Sequence, residues 1–208
     1  MAMARVRVTP DAFELVYYDA AEIAALAERV ADRVGVPADI EVSIEVDEAL
    51  PRPLLGSYVD LVDGALSIWC SGGNFEDPHY PRRFSESLAG FELGSDLLRG
   101  ADRLSPGFSE APVDGELSDR RRAAWDVSAR GRLTRLGFPV RESLSRYHFR
   151  LAHGFGDAAD AVYDRLWGAD SITWADIVAA SDETEAVDPR PKPKARPGAK
   201  GSSFRIDA

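Results

Sequence analysis

Three histidines, His79, His148 and His153, are the side chains of this sequence best suited to bind a metal ion or to transfer a proton near neutral pH. His148 and His153 are five residues apart, and on a continuous helix this spacing separates them by about 140 degrees. A metal site would therefore require a sharp turn after His153, with His79, Asp157 or Asp160 approaching from elsewhere in the fold. The alternative is that His148 lies at the edge of the core and that His153, in the last turn of a helix, interacts with the helix dipole.

A polar loop of sequence SGGNFEDPHYP, at residues 71–81, follows an apolar strand and contains further side chains that could bind an ion or act as acids and bases. The candidates in this loop are Asn74, Glu76, Asp77 and His79. Loops that leave the end of a strand often carry functional residues. The same residue types also form turns, because two glycines, an Asn and an Asp-Pro pair suit turn backbone geometry. The sequence supports both interpretations.

Arginines are concentrated in residues 118–153, which contain nine of them against three acidic residues. Arg146, Arg150 and His153 are spaced along one side of a helix. A short connection at residues 137–139 should fold this helix back alongside the preceding one, because short connections favour antiparallel neighbours. The predicted arginine-rich surface comprises Arg130, Arg132, Arg135, Arg146, Arg150 and His153.

Planar guanidinium groups suit carboxylates and phosphates, so the expected partner of this surface is an acidic protein or a nucleic acid. The alternative is that the arginines pair with acidic side chains of the same chain. The carboxylates available for such pairs are Asp126, Glu142, Asp160 and Asp164.

The chain of 208 residues carries a formal net charge of -10 at pH 7, which favours solubility and opposes indiscriminate binding of nucleic acid by the whole molecule. A single cysteine, Cys70, excludes an internal disulfide bond and a thiolate-rich zinc site. The sequence has neither an apolar run of membrane-spanning length nor a secretory leader, so we expect a cytoplasmic protein that does not bind membranes. It contains no Walker, dinucleotide-binding, nucleophile-elbow or HExxH motif, and we expect no cofactor.

Five short segments of alternating apolar residues predict a small sheet in the N-terminal half. Two of them form a hairpin that turns at Pro10-Asp11, two form a hairpin that turns at Asp63-Gly64, and one strand lies between the hairpins. The predicted strands are Arg5–Thr9, Ala12–Tyr18, Ile40–Val46, Ser57–Val62 and Ala65–Cys70. Because hairpins join antiparallel strands, we predict a mainly antiparallel sheet.

A helix that begins at Asp19 and ends at Gly35 should separate the first hairpin from the central strand, and five more helices should follow the sheet. The predicted helices cover residues 19–35, 83–104, 118–136, 143–153, 157–167 and 173–181. In the helix at 143–153, Leu144, Tyr147 and Leu151 form the apolar stripe that we expect to face the core. Together these patterns predict a single α+β domain at residues 1–181, in which a small sheet packs with a C-terminal helical bundle.

Residues 182–208 contain four prolines and all three lysines of the chain. A segment of this composition buries too little apolar surface to fold by itself. We therefore predict a disordered C-terminal tail.

The order of elements over residues 19–104, a helix, a strand, a hairpin and a second helix, resembles the front half of a minimal zincin metallopeptidase. In that family the helix after the edge strand carries HExxH, whereas Ser85-Glu86-Ser87-Leu88-Ala89 occupies this place here. Only Glu86 matches the general base and both zinc-binding histidines are missing, so zinc-dependent hydrolysis is not implied. The segments GGNFEDPHYPRR and RYHFRLAHGFGDAADAVYDRLW are similar to those of uncharacterised proteins from high-GC actinobacteria, which implies no function.

We therefore expect a non-catalytic binding or adaptor protein that presents the arginine-rich surface to an acidic partner. The alternative is a metal-dependent hydrolase that uses His79, His148 and His153, and copurification of a metal would distinguish the two. A third interpretation is a module that recognises its partner through apolar contacts, in which case binding would not depend on salt. The sequence does not indicate the oligomeric state.

Overall fold

The computed structural model describes residues 4–187, which form a four-stranded sheet followed by a helical bundle. The strands are β1 (Arg5–Thr9), β2 (Glu41–Asp47), β3 (Ser57–Val62) and β4 (Ala65–Ser71). The helices are α1 (Ala20–Val34), α2 (Glu86–Leu104), α3 (Asp119–Arg135), α4 (Glu142–His153), α5 (Asp157–Gly168) and α6 (Trp174–Val187). The predicted α+β class is confirmed.

The sheet is mixed, which corrects the prediction of a mainly antiparallel sheet. The strand order is β1-β2-β4-β3, in which β1 pairs with β2 and β2 pairs with β4 in parallel, while β3 and β4 are antiparallel. The β3–β4 hairpin was predicted correctly, and it turns through Asp63 and Gly64, whose φ angles are 51 and 83 degrees. A tight turn of this kind requires positive φ at both positions.

The predicted first hairpin is wrong, because residues 12–18 do not pair with β1. The backbone N–H groups of Glu14 and Leu15 donate instead to one carboxylate oxygen of Glu48, at 2.9 and 2.6 Å. Tyr17 forms a single bridge to Arg83. The chain therefore returns through α1 to place β2 beside β1, and such a crossover makes the two strands parallel.

One face of the sheet is buried and the other is open. The register places Val8, Ile44, Ile68 and Val59 side by side across the four strands, and each is at most 5% exposed. They belong to one apolar cluster with the inner residues of α1 and α2, whereas the alternate residues of β2 are exposed. This confirms the alternation predicted for the central strand.

A second apolar cluster fills the helical bundle around Trp125 and Tyr163, both 0% exposed. Leu98 of α2, together with Ala129 and Leu133 of α3, forms a small third cluster between the other two. The bundle is therefore attached to the sheet through the contact between α2 and α3.

The orientation of α4 corrects a second prediction. Its buried residues are Ser145, Phe149 and His153. The stripe of Leu144, Tyr147 and Leu151 that the sequence assigned to the core is exposed instead, at 47%, 50% and 49%. Both sets have helical spacing, so periodicity alone could not decide which of them faces the core.

The last helix, α6, was predicted to end near Ser181 but continues to Val187. Thr184, in this extension, is 0% exposed, and its hydroxyl group contacts the His153 ring at 2.6 Å. This contact holds the added turns against α4. Residues 182–187 of the predicted tail are therefore helical, and the rest of that tail lies outside the described residues.

None of the helices in residues 4–187 is long and apolar enough to span a lipid bilayer.

The substitutions Gly90→Ala and Gly131→Ala should change stability in opposite directions. A Cβ atom at Gly90 would lie 3.8 Å from Leu26, so a methyl group fits, and we expect a gain of about 0.5–1 kcal/mol because alanine favours helix. A Cβ atom at Gly131 would lie 2.1 Å from the carbonyl oxygen of Trp167, so α3 and α5 must separate, at a cost of about 3 kcal/mol.

Urea denaturation of both variants beside the unaltered chain measures these changes as shifts of the unfolding midpoint. A Gly131→Ala variant as stable as the parent would show that α3 and α5 do not approach as closely as described.

Candidate functional site

The arginines of α3 are held by contacts within the chain. Arg132 binds both carboxylate oxygens of Asp102 on α2, at 2.7 and 2.6 Å. Arg135 donates to the carbonyl oxygen of Trp167 at 2.8 Å and lies 3.2 Å from Asp170. These contacts direct the two arginines to different neighbours, so the structure does not bring them together on one open surface.

The arginines of α4 pair with α5 and with their own helix. Arg146 contacts Asp164 at 2.6 Å and Glu142 at 3.2 Å. Arg150 binds both carboxylate oxygens of Asp160, at 2.7 and 2.6 Å. The arginine-rich surface stays a prediction, but these four hydrogen bonds form three intramolecular pairs of the kind that the sequence offered as the alternative.

Of the remaining two members of the predicted surface, Arg130 lies over an aromatic ring and His153 is buried. Arg130 lies 5.8 Å from the centre of the Phe91 ring. His153 is 2% exposed, with its Nδ1 atom 2.6 Å from the Thr184 hydroxyl and its Nε2 atom 2.8 Å from the carbonyl oxygen of Arg120. A carbonyl oxygen only accepts, so Nε2 carries the proton. His153 therefore connects three helices from inside the bundle.

The structure places the three histidines in separate settings. His79 lies in the loop after β4, His148 is exposed on α4, and His153 is buried. Among residues 4–187, no group of three or more His, Cys, Asp or Glu side chains is arranged to hold a metal ion. The metal-dependent hydrolase stays a prediction that this geometry does not support.

The loop candidates after β4 bind the backbone of neighbouring loops. Asn74 donates to the carbonyl oxygen of Gly56 at 3.0 Å. Glu76, which is 6% exposed, accepts from the N–H groups of Arg52 at 2.9 Å and Arg82 at 2.6 Å. Asp77 accepts from the N–H groups of the two residues that follow Pro78, at 2.8 and 3.2 Å. These contacts favour the turn-forming interpretation of this loop.

A buried carboxylate, that of Asp114, joins the edge of the sheet to the helical bundle. It is 0% exposed and accepts from the N–H group of Val59 on β3 at 3.2 Å. Arg122 of α3 donates to it at 2.9 Å, and Arg99 and Arg103 of α2 also contact it. Burial would raise the pKa of Asp114, but the charge of Arg99 and the hydrogen bonds from Arg99 and Arg122 outweigh it, so this pKa lies below its usual range.

A second buried acid, Asp96 of α2, has a raised pKa, whereas that of Asp114 is lowered. It is 4% exposed and accepts a hydrogen bond of 2.8 Å from the Ser57 hydroxyl. Burial raises the pKa of Asp96 to about 7, although the charge of Arg99 and the bond from Ser57 favour ionisation. Asp96 is therefore partly protonated at neutral pH.

Four exposed apolar side chains form what we call the α4 ridge: Leu144, Tyr147, Leu151 and Phe155. They are 47%, 50%, 49% and 65% exposed. The rings of Tyr147 and Phe155 lie edge to face with their centres 6.1 Å apart. The first three residues, at i, i+3 and i+7, follow one line along the helix. The ridge is therefore a continuous apolar strip opposite the buried side of α4.

A shallow groove between α3 and α4 borders the ridge. Its volume is about 290 Å³, and its lining includes Asp119, Arg122, Asp126, His148 and Leu151. The guanidinium group of Arg122 donates to Asp114 at 2.9 Å. Partial burial and the charge of Arg130 lower the pKa of His148, so its ring is neutral at neutral pH. The groove thus offers carboxylates beside an apolar strip.

The helical spacing of Leu144, Tyr147 and Leu151 predicts an apolar stripe, but the stripe was wrongly predicted to face the core. The sequence also contains a second stripe, Ser145, Phe149 and His153, and this one is buried. No periodic pattern marks the role of Asp114, because its partners come from three separate segments of the chain.

The substitution Asp96→Asn should stabilise the protein more at pH 8 than at pH 5. With a folded pKa of about 7 and an ordinary value of 3.8, the folded state binds the proton more tightly, so stability falls as pH rises between these values. Asparagine still accepts from Ser57 and carries no charge. We expect a gain on the order of 1–3 kcal/mol at pH 8 and a much smaller change at pH 5.

Thermal unfolding of both proteins across this pH range measures the difference. Equal changes of melting temperature at pH 5 and pH 8 would contradict a raised pKa at Asp96.

Comparison with protein-family models, with curated proteins and with solved structures finds no significant match to this chain.

Proposed function

We propose that this chain is a non-catalytic binding protein whose docking surface is the α4 ridge. The observation that carries the proposal is that the apolar stripe of an amphipathic helix faces away from the core. Four large side chains that are about half exposed present roughly 400 Å² of surface. The largest apolar patch on a folded monomer is typically of this size and is often functional.

The free energy available from covering the ridge is appreciable. Burying a large apolar side chain completely contributes about 1.5–3 kcal/mol, so completing the burial of four half-exposed residues contributes on the order of 3–6 kcal/mol. The partner's apolar stripe contributes a similar amount when it is covered, and association costs at least about 4 kcal/mol, so the expected contact is weak and reversible. The ridge therefore suits a transient partner.

The borders of the ridge define the partner's chemistry. On the α5 side, Arg150 pairs with Asp160 and Arg146 pairs with Asp164, so these four charges at the edge of the ridge cancel. On the α3 side, the groove presents Asp119 beside the apolar strip. We infer that the partner is an amphipathic helix of another protein, with its apolar stripe on the ridge and one basic residue toward the groove.

This proposal differs in salt dependence from the arginine-rich surface. Binding driven by apolar burial should change little between low and physiological salt, whereas a contact with several phosphates or carboxylates weakens steeply. Because the arginines of α4 already pair with carboxylates of this chain, we expect binding that depends little on salt.

The double substitution Leu144→Gln and Tyr147→Gln tests the ridge. Glutamine is well tolerated in helices and both positions are exposed, so the fold should persist while binding is lost. The matched control is the double substitution Leu15→Gln and Tyr17→Gln. It removes the same two residue types, which are 51% and 76% exposed, at positions distant in sequence from the ridge.

The probe is a fluorescently labelled amphipathic helical peptide with leucines on one face and a single lysine at the rim, and the measurement is anisotropy at two salt concentrations. We expect the ridge variant to bind at least about tenfold more weakly than the parent and the control, with little effect of salt. Equal binding by all three proteins, or equal binding of a peptide of scrambled sequence, would refute the ridge. Steeply salt-dependent binding of an acidic peptide in its place would favour the arginine-rich surface.

A further inference from the structure

A groove lies between α1 and α2, and we call it the α1–α2 groove. Its volume is about 460 Å³, and its lining includes Phe138 and Pro139 of the connection between α3 and α4. Cavities of about 300–1,000 Å³ are typical of small-molecule sites. This groove is separate from the α4 ridge, so ligand binding in it does not depend on the proposed function.

The floor of the groove is apolar. Leu26 and Val30 of α1, one turn apart, are 6% and 4% exposed, and Gly90 of α2 lies opposite, where a Cβ atom would be 3.8 Å from Leu26. Phe138 and Pro139 are more exposed members of the lining. An apolar ligand body would therefore lie over this floor and against Phe138 and Pro139.

Two arginines of α1, Arg29 and Arg33, also line the groove and are one helical turn apart. Arg33 donates to the carbonyl oxygen of Leu136, and its guanidinium group lies 4.4 Å from the centre of the Phe138 ring. These contacts hold one positive charge beside Phe138. With Arg29, Arg33 and Glu86, the lining has a net charge of +1 in a chain of net charge -10.

The second arginine already holds a carboxylate. Arg29 donates to Glu86 of α2 at 2.8 Å, and the two side chains are 57% and 63% exposed. An ion pair this exposed contributes little to stability, so another carboxylate can replace Glu86 at little cost. Glu86 therefore marks a position where a carboxylate oxygen fits the guanidinium group.

We propose that the α1–α2 groove binds a small amphipathic carboxylate. The apolar body lies over Leu26, Val30 and Gly90 beside Phe138, and the carboxylate takes the place of Glu86 on Arg29 near the charge of Arg33. A planar guanidinium group recognises a carboxylate through paired hydrogen bonds, which a neutral or cationic head group cannot accept in the same way. The site therefore requires both an anionic head and an apolar body.

The experiment titrates octanoate into isotopically labelled protein and follows the backbone amide signals by NMR. We expect saturable shifts at residues 26–33, 86–90 and 138. Octylammonium lacks the anionic head and acetate lacks the apolar body, so each should bind at least about tenfold more weakly. Shifts confined to other parts of the chain, or equal binding of octylammonium or acetate, would overturn the proposal.

Two substitutions change the head-group site in opposite directions. Arg29→Gln should weaken octanoate binding several-fold, because it removes the hydrogen-bonding charge. Glu86→Gln should strengthen it by up to about fivefold, because the competing carboxylate is lost and the pair is worth at most about 1 kcal/mol. A ligand that merely adheres to apolar surface would not show this gain.

The matched control is Arg165→Gln, since Arg165 forms a similarly exposed pair with Glu183 at 2.6 Å, with side chains 55% and 49% exposed. This variant should bind octanoate as the parent does. If Arg29→Gln and Arg165→Gln bind equally, or if Glu86→Gln weakens binding, Arg29 does not hold the ligand and the proposal fails.

Discussion

The requirement to neutralise one buried carboxylate shapes the junction between the sheet and the helical bundle. Asp114 is fully buried, and an unpaired charge in that position would strongly destabilise the folded state. Arg99 and Arg103 approach it from α2, Arg122 approaches from α3, and Val59 donates from the edge of the sheet. Removing one member of such a group leaves a buried charge unpaired, which typically costs about 3–5 kcal/mol. Asp114 therefore fixes how two apolar clusters are placed relative to each other.

Other arginines of the bundle also pair with carboxylates on neighbouring helices. Arg132 pairs with the buried Asp102, which also accepts from the Trp125 indole, and Arg150 pairs with Asp160 across the contact of α4 and α5. Charges that the sequence places at regular spacing are thereby drawn into contacts between helices. Neither the apolar α4 ridge nor the lining of the α1–α2 groove contains a member of these pairs.

Elements whose signals are local could be predicted from the amino-acid sequence. Asp19 caps α1 by accepting from two backbone N–H groups of the first turn, and Gly35 ends it with a φ angle of 85 degrees. Asp63-Gly64 sets the β3–β4 turn, and alternation sets the two faces of β2. Each of these features depends on residues within a few positions of one another, so the α+β class and most element boundaries could be predicted without the fold.

Long-range contacts decided which strands pair in parallel, which stripe of α4 is buried and which arginines remain open to a partner. The predicted first hairpin failed because the Glu48 carboxylate, more than thirty residues away, binds the backbone N–H groups of Glu14 and Leu15. On the buried side of α4, Phe149 packs in the apolar cluster of the bundle and His153 contacts Thr184. These choices are set by partners far apart in the sequence, and a periodic pattern carries no information about which distant group will satisfy a hydrogen bond or a charge.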